Sequence, residues 1–274
     1  MYSRVYVEIT NICNMNCSFC HGHHRPARQM TEGEYAHILK QLAGKTQYIY
    51  HHLMGEPLTH PLLPRFIQMA TDAGFRPMIT TNGTLLDRWG DKLVTPQLHK
   101  INISLHSFEQ GQQIQQEDYI RKVAIFADRA NRAGTVVSLR LWNNGCDEGK
   151  NDITLQTLRE CLPEQWSENT RGYRIRDKLF LEWGERFTWP DQNAPDGGPQ
   201  LFCHGLRDHF GILCDGTVVP CCLDSDGMIA LGNVFQEELS QILNTPRAVA
   251  MVEGFSRRCA TEDLCRRCGY ATRF

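Results

Sequence analysis

Three cysteines stand within eight residues near the start of the chain, in the stretch "EITNICNMNCSFCHGHH", and no fourth follows until Cys146. Structural zinc takes four protein ligands and usually draws them as two pairs, so Cys13, Cys17 and Cys20, spaced Cys-x3-Cys-x2-Cys, make a poor zinc site. Three thiolates can instead hold three irons of a four-iron four-sulfur cluster and leave the fourth iron open to an outside ligand. An open coordination position is what a catalytic site keeps. His21, His23 and His24 follow directly and could meet a substrate, although histidines in an exposed loop are commonly just solvated.

A second concentration closes the chain: five of the 12 cysteines lie in the first 202 residues and seven in the last 72. In a chain of 274 residues with no basic, apolar signal segment at its start, cysteines clustered at short spacings point to metal rather than to disulfides.

These residues need a frame to hold them. "RVYVEIT" (4–10) has strand composition, and "TEGEYAHILKQLA" opens with Thr31 as N-cap and Glu34 three residues on, a capping box ahead of an apolar helical stripe. The first three cysteines therefore occupy a strand-to-helix loop. The alternation continues with strands at 47–53, 76–83, 100–107 and 135–142, helices at 62–74, near Leu93, at 119–134 and at 154–162, and a sixth strand at 178–183. Strands separated by helices predict an α/β fold with a parallel sheet. Six of them predict a partial (β/α)6 TIM-like barrel, curved and partly open, with its active site at the carboxyl ends of the strands.

The stretch "TWPDQNAPDGGPQ" (188–200) is rich in Pro, Gly, Asp and Asn and reads as a linker. It divides a barrel at 1–187 from a small cysteine-rich α+β module at 201–274, in which "GILCDGTVVPC" predicts a hairpin turning at Asp215-Gly216 and "ELSQILNTPRAVAMVEG" one or two short helices. With 41% hydrophobic residues the chain can bury a full-sized core. Its 29 Lys+Arg against 31 Asp+Glu, with no run of five like charges, show no footprint for nucleic acid or an anionic membrane. No segment approaches the roughly 18 apolar residues a membrane span needs, so a cytoplasmic location is expected.

The cysteine loop, with Phe19 just before its third cysteine, resembles the signature of the radical S-adenosylmethionine (SAM) superfamily. The resemblance implies a 4Fe-4S cluster on Cys13, Cys17 and Cys20 whose open iron chelates the amino and carboxylate groups of SAM. Reduction would then split SAM into methionine and a 5′-deoxyadenosyl radical that removes a hydrogen atom from substrate, with a partner such as flavodoxin or ferredoxin as the reductant. "LMGEPLTHP" is similar to the family's Gly-Gly-Glu-Pro motif, in which the carboxylate receives the methionine ammonium; Glu56 takes that role, with Met54 in place of the first glycine. "TTNG" and "ISLHS" are similar to family strand ends, which implies that Asn82 and Ser104, with Phe19, lie against SAM. Arg140 and Asn143 in "SLRLWNN" fall where relatives carry polar groups facing SAM or substrate, although a lone strand arginine can equally be a salt-bridged rim residue.

Cys203-x12-Gly216-x4-Cys221, closed by Cys265-Arg-Arg-Cys268, resembles the SPASM/twitch accessory domains of the same superfamily. The resemblance implies one auxiliary 4Fe-4S cluster on Cys203, Cys221, Cys265 and Cys268. Cys222 rivals Cys221, since adjacent side chains cannot easily face one metal together, and Cys214 and Cys259 remain as spares. A structural zinc is the alternative that the final Cys-x2-Cys permits.

Together these features imply an oxidoreductase with two clusters and SAM, most nearly one that dehydrogenates a small molecule such as an aminosugar or cyclitol by two electrons. Peptide or protein modification, by ribosomal peptide crosslinking, epimerisation or sulfatase-type maturation, is the alternative; because strand composition begins within a few residues of Met1, a leader peptide would need a separate partner protein. The non-enzymatic reading, an iron–sulfur electron carrier, would have no use for Glu56 or for an open iron.

Overall fold

The computed structural model describes residues 1–109, 115–147 and 149–273. Strand β1 (Arg4–Val7) leads through the cysteine loop to α1 (Glu32–Leu42), followed by β2 (Tyr48–Tyr50), α2 (Leu63–Asp72), β3 (Arg76–Thr81), α3 (Leu86–Leu93), β4 (Lys100–Ser104), α4 (Gln116–Arg132), β5 (Val136–Asn144) and α5 (Lys150–Cys161). A hairpin of β6 (Ser167–Asn169) and β7 (Gly172–Arg176) precedes β8 (Leu179–Glu185); β9 (His209–Ile212), β10 (Thr217–Val219), β11 (Gly232–Asn233), α6 (Leu239–Ile242), α7 (Pro246–Ser256) and α8 (Asp263–Arg266) complete the chain. The first helix begins as its capping box predicts: Thr31 Oγ1 accepts from Glu34 N at 3.2 Å and Glu34 Oε2 accepts from Thr31 N at 2.8 Å.

The sheet is open and runs β11-β10-β9-β1-β2-β3-β4-β5-β8-β7-β6. The six strands expected from the alternation are β1 to β5 and β8, all parallel to their neighbours in that run. Two features go beyond the expectation. The β6–β7 hairpin extends one edge antiparallel to β8, and β9 extends the other, parallel to β1 from Arg4↔His209 to Val7↔Ile212. The cysteine-rich C-terminal region thus shares the barrel's own sheet through β9.

Successive side chains on a strand point to opposite faces. Val5, Val7, Ile49, Ile79, Ile101, Ile103, Val137, Leu139 and Leu181 form one buried core with Tyr35, Phe66, Ile120 and Leu158 of the helices. The alternate positions, among them Arg4, Tyr6, Glu8, Lys100, Asn102, Ser138, Arg140 and Glu182, face the other way, and they are mostly polar. Four strand spacings separate β1 from β5, roughly 19 Å in a flat sheet, yet Tyr6 and Tyr50 both act electrostatically on Arg140. The sheet must curl to bring them together, as a partial barrel does.

Two glycines are needed where backbones meet. Gly216, at φ +88°, makes the β9–β10 turn, where a Cβ would lie 2.6 Å from Asn233 Oδ1 and 2.4 Å from the Phe235 ring. Gly55, at φ +74°, lets the loop after β2 press on the end of β1, where a Cβ would lie 2.5 Å from Thr10 O. No described helix is long and apolar enough to cross a membrane.

Candidate active site

Cys13, Cys17 and Cys20 sit in the loop that leaves β1, at the carboxyl ends of the parallel strands. Backbone contacts shape that loop: Cys20 N donates to Cys17 O at 3.1 Å, and Met15 N points at Cys13 Sγ at 3.4 Å. An N–H aimed at a thiolate favours its ionised, metal-binding form. Because Gly55 lets the two loops touch, Glu56 N donates to Ile12 O at 2.9 Å, which sets the next side chain beside the cysteines.

Glu56 is 2% exposed and accepts from Leu58 N (3.0 Å), Thr81 Oγ1 (2.7 Å) and Asn82 N (2.7 Å). Burial pushes its carboxyl up to about 7 despite these donors. A buried carboxylate held this way still has unused acceptor capacity, and a cation placed against it would stabilise the ionised form. Burial raises the Cys13 thiol in turn, with the charges of Glu56 and Cys20 adding to the effect and the Met15 N–H opposing it. Glu56 therefore lies within electrostatic reach of the cysteine loop.

Asn82 bridges β3 to the same loop: its Nδ2 donates to Asn14 Oδ1 at 3.0 Å, and its Oδ1 accepts from Thr84 N at 2.9 Å. Ser104 ends β4 opposite Arg140 in register. The Phe19 ring lies 4.9 Å from that of His106, Arg186 stacks over it at 5.6 Å, and Trp189 Nε1 donates to Phe19 O at 2.9 Å. Residues 186–189 thus roof the loop. Arg140 reaches across the inner face, with Nε 3.6 Å from Glu182 Oε2 and its guanidinium 4.7 Å from the Trp142 ring. Asn143 stands apart from the others; it is 1% exposed and exchanges amide hydrogen bonds with Asn151 of α5 at 3.0 and 3.2 Å. His23 caps Asn11 O and His24 pairs with Asp226, so both serve to pin the loop.

Among the described residues no three His, Cys, Asp or Glu groups converge as they would around a single metal ion. Cys13, Cys17 and Cys20 offer three thiols, one short of the four protein ligands a structural zinc takes, which suits a cluster with an open iron. The family model for the radical SAM superfamily matches residues 7–140, and the model for the SPASM iron–sulfur cluster-binding domain matches 203–269. The chain belongs to the radical SAM superfamily. Its cofactors are a 4Fe-4S cluster and SAM, with additional iron–sulfur chemistry in the SPASM region.

This radical SAM protein is 32% identical over 131 residues to the GTP 3′,8-cyclase of Chlorobaculum tepidum, a match spanning 46% of this chain and 40% of the relative. The matches to the first curated relatives cover 40% or less of each relative's length. Among solved structures, BtrN in complex with AdoMet and 2-DOIA aligns with a TM-score of 0.61 at 17% identity, covering 98% of this chain and 93% of that one. Streptococcus suis SuiB aligns with a TM-score of 0.64 at 14% identity, covering 98% of this chain and 72% of that one. These likenesses share the partial-barrel fold.

In the SPASM region of this radical SAM protein, Cys203 and Cys265 lie within electrostatic reach of Cys221 and of each other, and Cys268 within reach of Cys203 and Cys265. Burial pushes Cys221 well up, and Cys222, Cys203 and Cys265 add to it; burial likewise raises Cys265, followed by Cys203 and Cys268. Gly205 N points at Cys203 Sγ at 3.3 Å. Four thiols are the donor set that a four-iron cluster takes, so the residues fit the group. Cys222 turns the other way, into the barrel, where it hydrogen-bonds Tyr6, and burial lifts it to about 11. Cys214 lies beside Glu8 and Arg25, with Arg25 Nη1 3.7 Å from its sulfur. Cys259 is exposed.

Glu8, Arg25, Arg4 and Lys100 belong to no motif in the sequence. One signal was available: in "RVYVEIT" the charged residues occupy alternate positions, which in a barrel strand marks the phase facing inward.

Proposed function

We propose that this radical SAM enzyme abstracts hydrogen from a small molecule and completes a two-electron oxidation, a dehydrogenation. The observation that carries the reading is that both cysteine sets hang on one sheet: Cys13 follows β1, and β9–β10, whose end carries Cys221, is hydrogen-bonded directly to it. When bound, the first cluster and SAM supply the hydrogen-abstracting radical, and a cluster on Cys203, Cys221, Cys265 and Cys268 would supply an electron acceptor beside the same barrel. Four thiolates fill four irons and leave no position for substrate, which favours an electron-transfer role over a binding one.

The chain's own groups do the rest. Glu56 offers its buried carboxylate to the SAM ammonium, while Asn82 holds Asn14, and with it the cysteine loop, against β3. Phe19, Arg186 and Trp189 pack together against the loop. Arg140 faces the interior where a substrate would lie.

With dithionite and SAM under anaerobic conditions, the protein should release 5′-deoxyadenosine, and replacing Cys13, Cys17 and Cys20 together by Ala should abolish that release. With a turned-over substrate, Cys265→Ala/Cys268→Ala should keep 5′-deoxyadenosine formation but lose most oxidised product. Full product yield from a variant shown to lack the auxiliary cluster would reject the acceptor role.

A further inference from the structure

The inner face of the barrel carries more positive charge than SAM cleavage uses. Arg4 on β1, Lys100 on β4 and Arg140 on β5 all occupy its inward positions. Two inward acids stand on these parallel strands. Glu8 is engaged by both terminal nitrogens of Arg25, which leaves Glu182 on β8, among the described strand residues, as the carboxylate facing the three cations. The formal excess is two positive charges in a part-buried space.

The same face collects hydrogen-bonding atoms without partners. Arg4 Nε, Arg140 Nε, His52 Nδ1, His209 Nδ1, Ser138 Oγ and Asn102 Oδ1 are buried and make no hydrogen bond of ordinary length in the chain, Arg140 Nε having only its 3.6 Å ion-pair contact with Glu182. Tyr6 ties two of them to one place, its ring 5.6 Å from that of His52 and 5.7 Å from that of His209. Folded proteins pair more than nine in ten of their buried polar groups, so six orphans on one face mark a site completed by something else. Five of the six can donate, and only Asn102 Oδ1 must accept. A ligand that answers them brings acceptors and negative charge.

The electrostatics agree with the geometry. Burial holds Lys100 below its ordinary value, and of its charged neighbours Glu182 opposes this while Arg140, Arg171 and Arg4 reinforce it. Burial followed by Arg140 holds His52 down at about 3, which keeps it neutral. Cations crowded tightly enough to depress one another are stabilised by an anion among them.

We propose that Arg4 and Lys100, at the floor of the barrel, and Arg140, reaching toward them from the level of Ser104, bind an oxyanion of the substrate, a phosphoryl or carboxylate group, on the barrel's inner face. The proposal rests on reading the barrel as the seat of the reaction, and it narrows the substrate to an acid. An aminosugar or aminocyclitol without an acidic group would bring further positive charge to a face that already has an excess. A sugar, cyclitol or nucleotide-like molecule carrying phosphate or carboxylate would be held by that end, leaving its C–H bonds toward the cysteine loop.

The test is calorimetric titration of the cluster-loaded protein with inorganic phosphate and, separately, with acetate, at constant ionic strength set by sodium chloride. At least one anion should bind with one-to-one stoichiometry; phosphate alone identifies a phosphoryl site and acetate alone a carboxylate site. Arg4→Gln/Lys100→Gln should weaken that binding by about tenfold or more, the effect of losing a charge-assisted hydrogen bond. Glu182→Gln, which removes the one opposing charge, should tighten it. SAM is titrated in parallel, and its affinity should be unchanged in the Arg4/Lys100 variant. If SAM binds and neither anion does, or if both variants bind the anion as the wild type does, the oxyanion site is wrong while the enzyme reading stands. If the Arg4/Lys100 variant does not fold, unchanged anion affinity in Glu182→Gln is by itself enough to overturn the proposal. Loss of SAM binding in the wild type would instead defeat the enzyme reading itself.

Discussion

Glu8 and Arg25 form a two-pronged ion pair, Nη1 to Oε2 at 2.8 Å and Nη2 to Oε1 at 2.6 Å, between the first strand and the segment that follows the cysteine loop. Glu8 is fully buried and also accepts from Met54 N at 3.1 Å and Cys214 N at 3.0 Å, while Arg25 Nε donates to Ser225 O at 2.8 Å. One carboxylate therefore ties together β1, the loop before Glu56 and the turn after β9.

Breaking that pair from one side leaves a buried charge without its partner, which typically destabilises by about 3–5 kcal/mol. Arg25→Met should lower the urea midpoint sharply, and Glu8→Gln/Arg25→Met should recover part of the loss because neither charge remains. A single variant as stable as wild type, or a double variant no better than the single, would contradict this account.

Glu56→Gln removes a charge from the site offered to the SAM ammonium. A hydrogen bond to a charged group contributes about 1.5–3 kcal/mol, so SAM affinity measured by titration should fall on the order of ten- to a hundredfold with iron content unchanged. Unaltered SAM affinity would take Glu56 out of the cofactor site.

Iron counting separates the two cysteine sets. Reconstituted without oxygen, the chain should hold about eight irons, as two four-iron clusters require, and the variant with Cys203, Cys221, Cys265 and Cys268 replaced by Ala about four. Zinc in place of iron, or a full complement in that variant, would overturn the assignment of those four ligands.

His51 makes a pH dependence that does not involve the clusters. It is fully buried, with Nδ1–H directed at Met78 O (3.3 Å) and Nε2 accepting from the Tyr35 hydroxyl, a neutral arrangement; burial holds it down at about 4, against 6.5 ordinarily. The unfolded chain binds the extra proton first, so this stability is present above pH 6.5 and is lost as pH falls toward 4. Between pH 7.5 and 5 the loss is about 2 kcal/mol. Urea unfolding at the two pH values should show wild type losing that much more than His51→Asn; equal losses would mean His51 is not held neutral by the fold.

What the sequence determined by itself was local. The spacing of Cys13, Cys17 and Cys20, the Thr31–Glu34 capping box, the Asp215-Gly216 turn and the alternation of strand and helix composition each depend on residues a few positions apart, and near neighbours in sequence constrain one another whatever the rest of the chain does. The β6–β7 hairpin is not legible in the sequence, because β6 (Ser-Glu-Asn) is wholly polar and exposed, so the short alternation of β7 has no matching partner strand. Tertiary structure decided whatever needed distant segments to meet. That β9 pairs with β1 across some two hundred residues, that Cys222 turns to Tyr6 while Cys221 turns to Cys203, that Asn143 pairs with Asn151, and that Arg4 and Arg140 come within electrostatic reach of Lys100 all follow from how the sheet curls and in which register it is joined. Strand pairing over such separations is set by the total burial of the helix-facing side chains, a sum over the whole core that no short stretch contains.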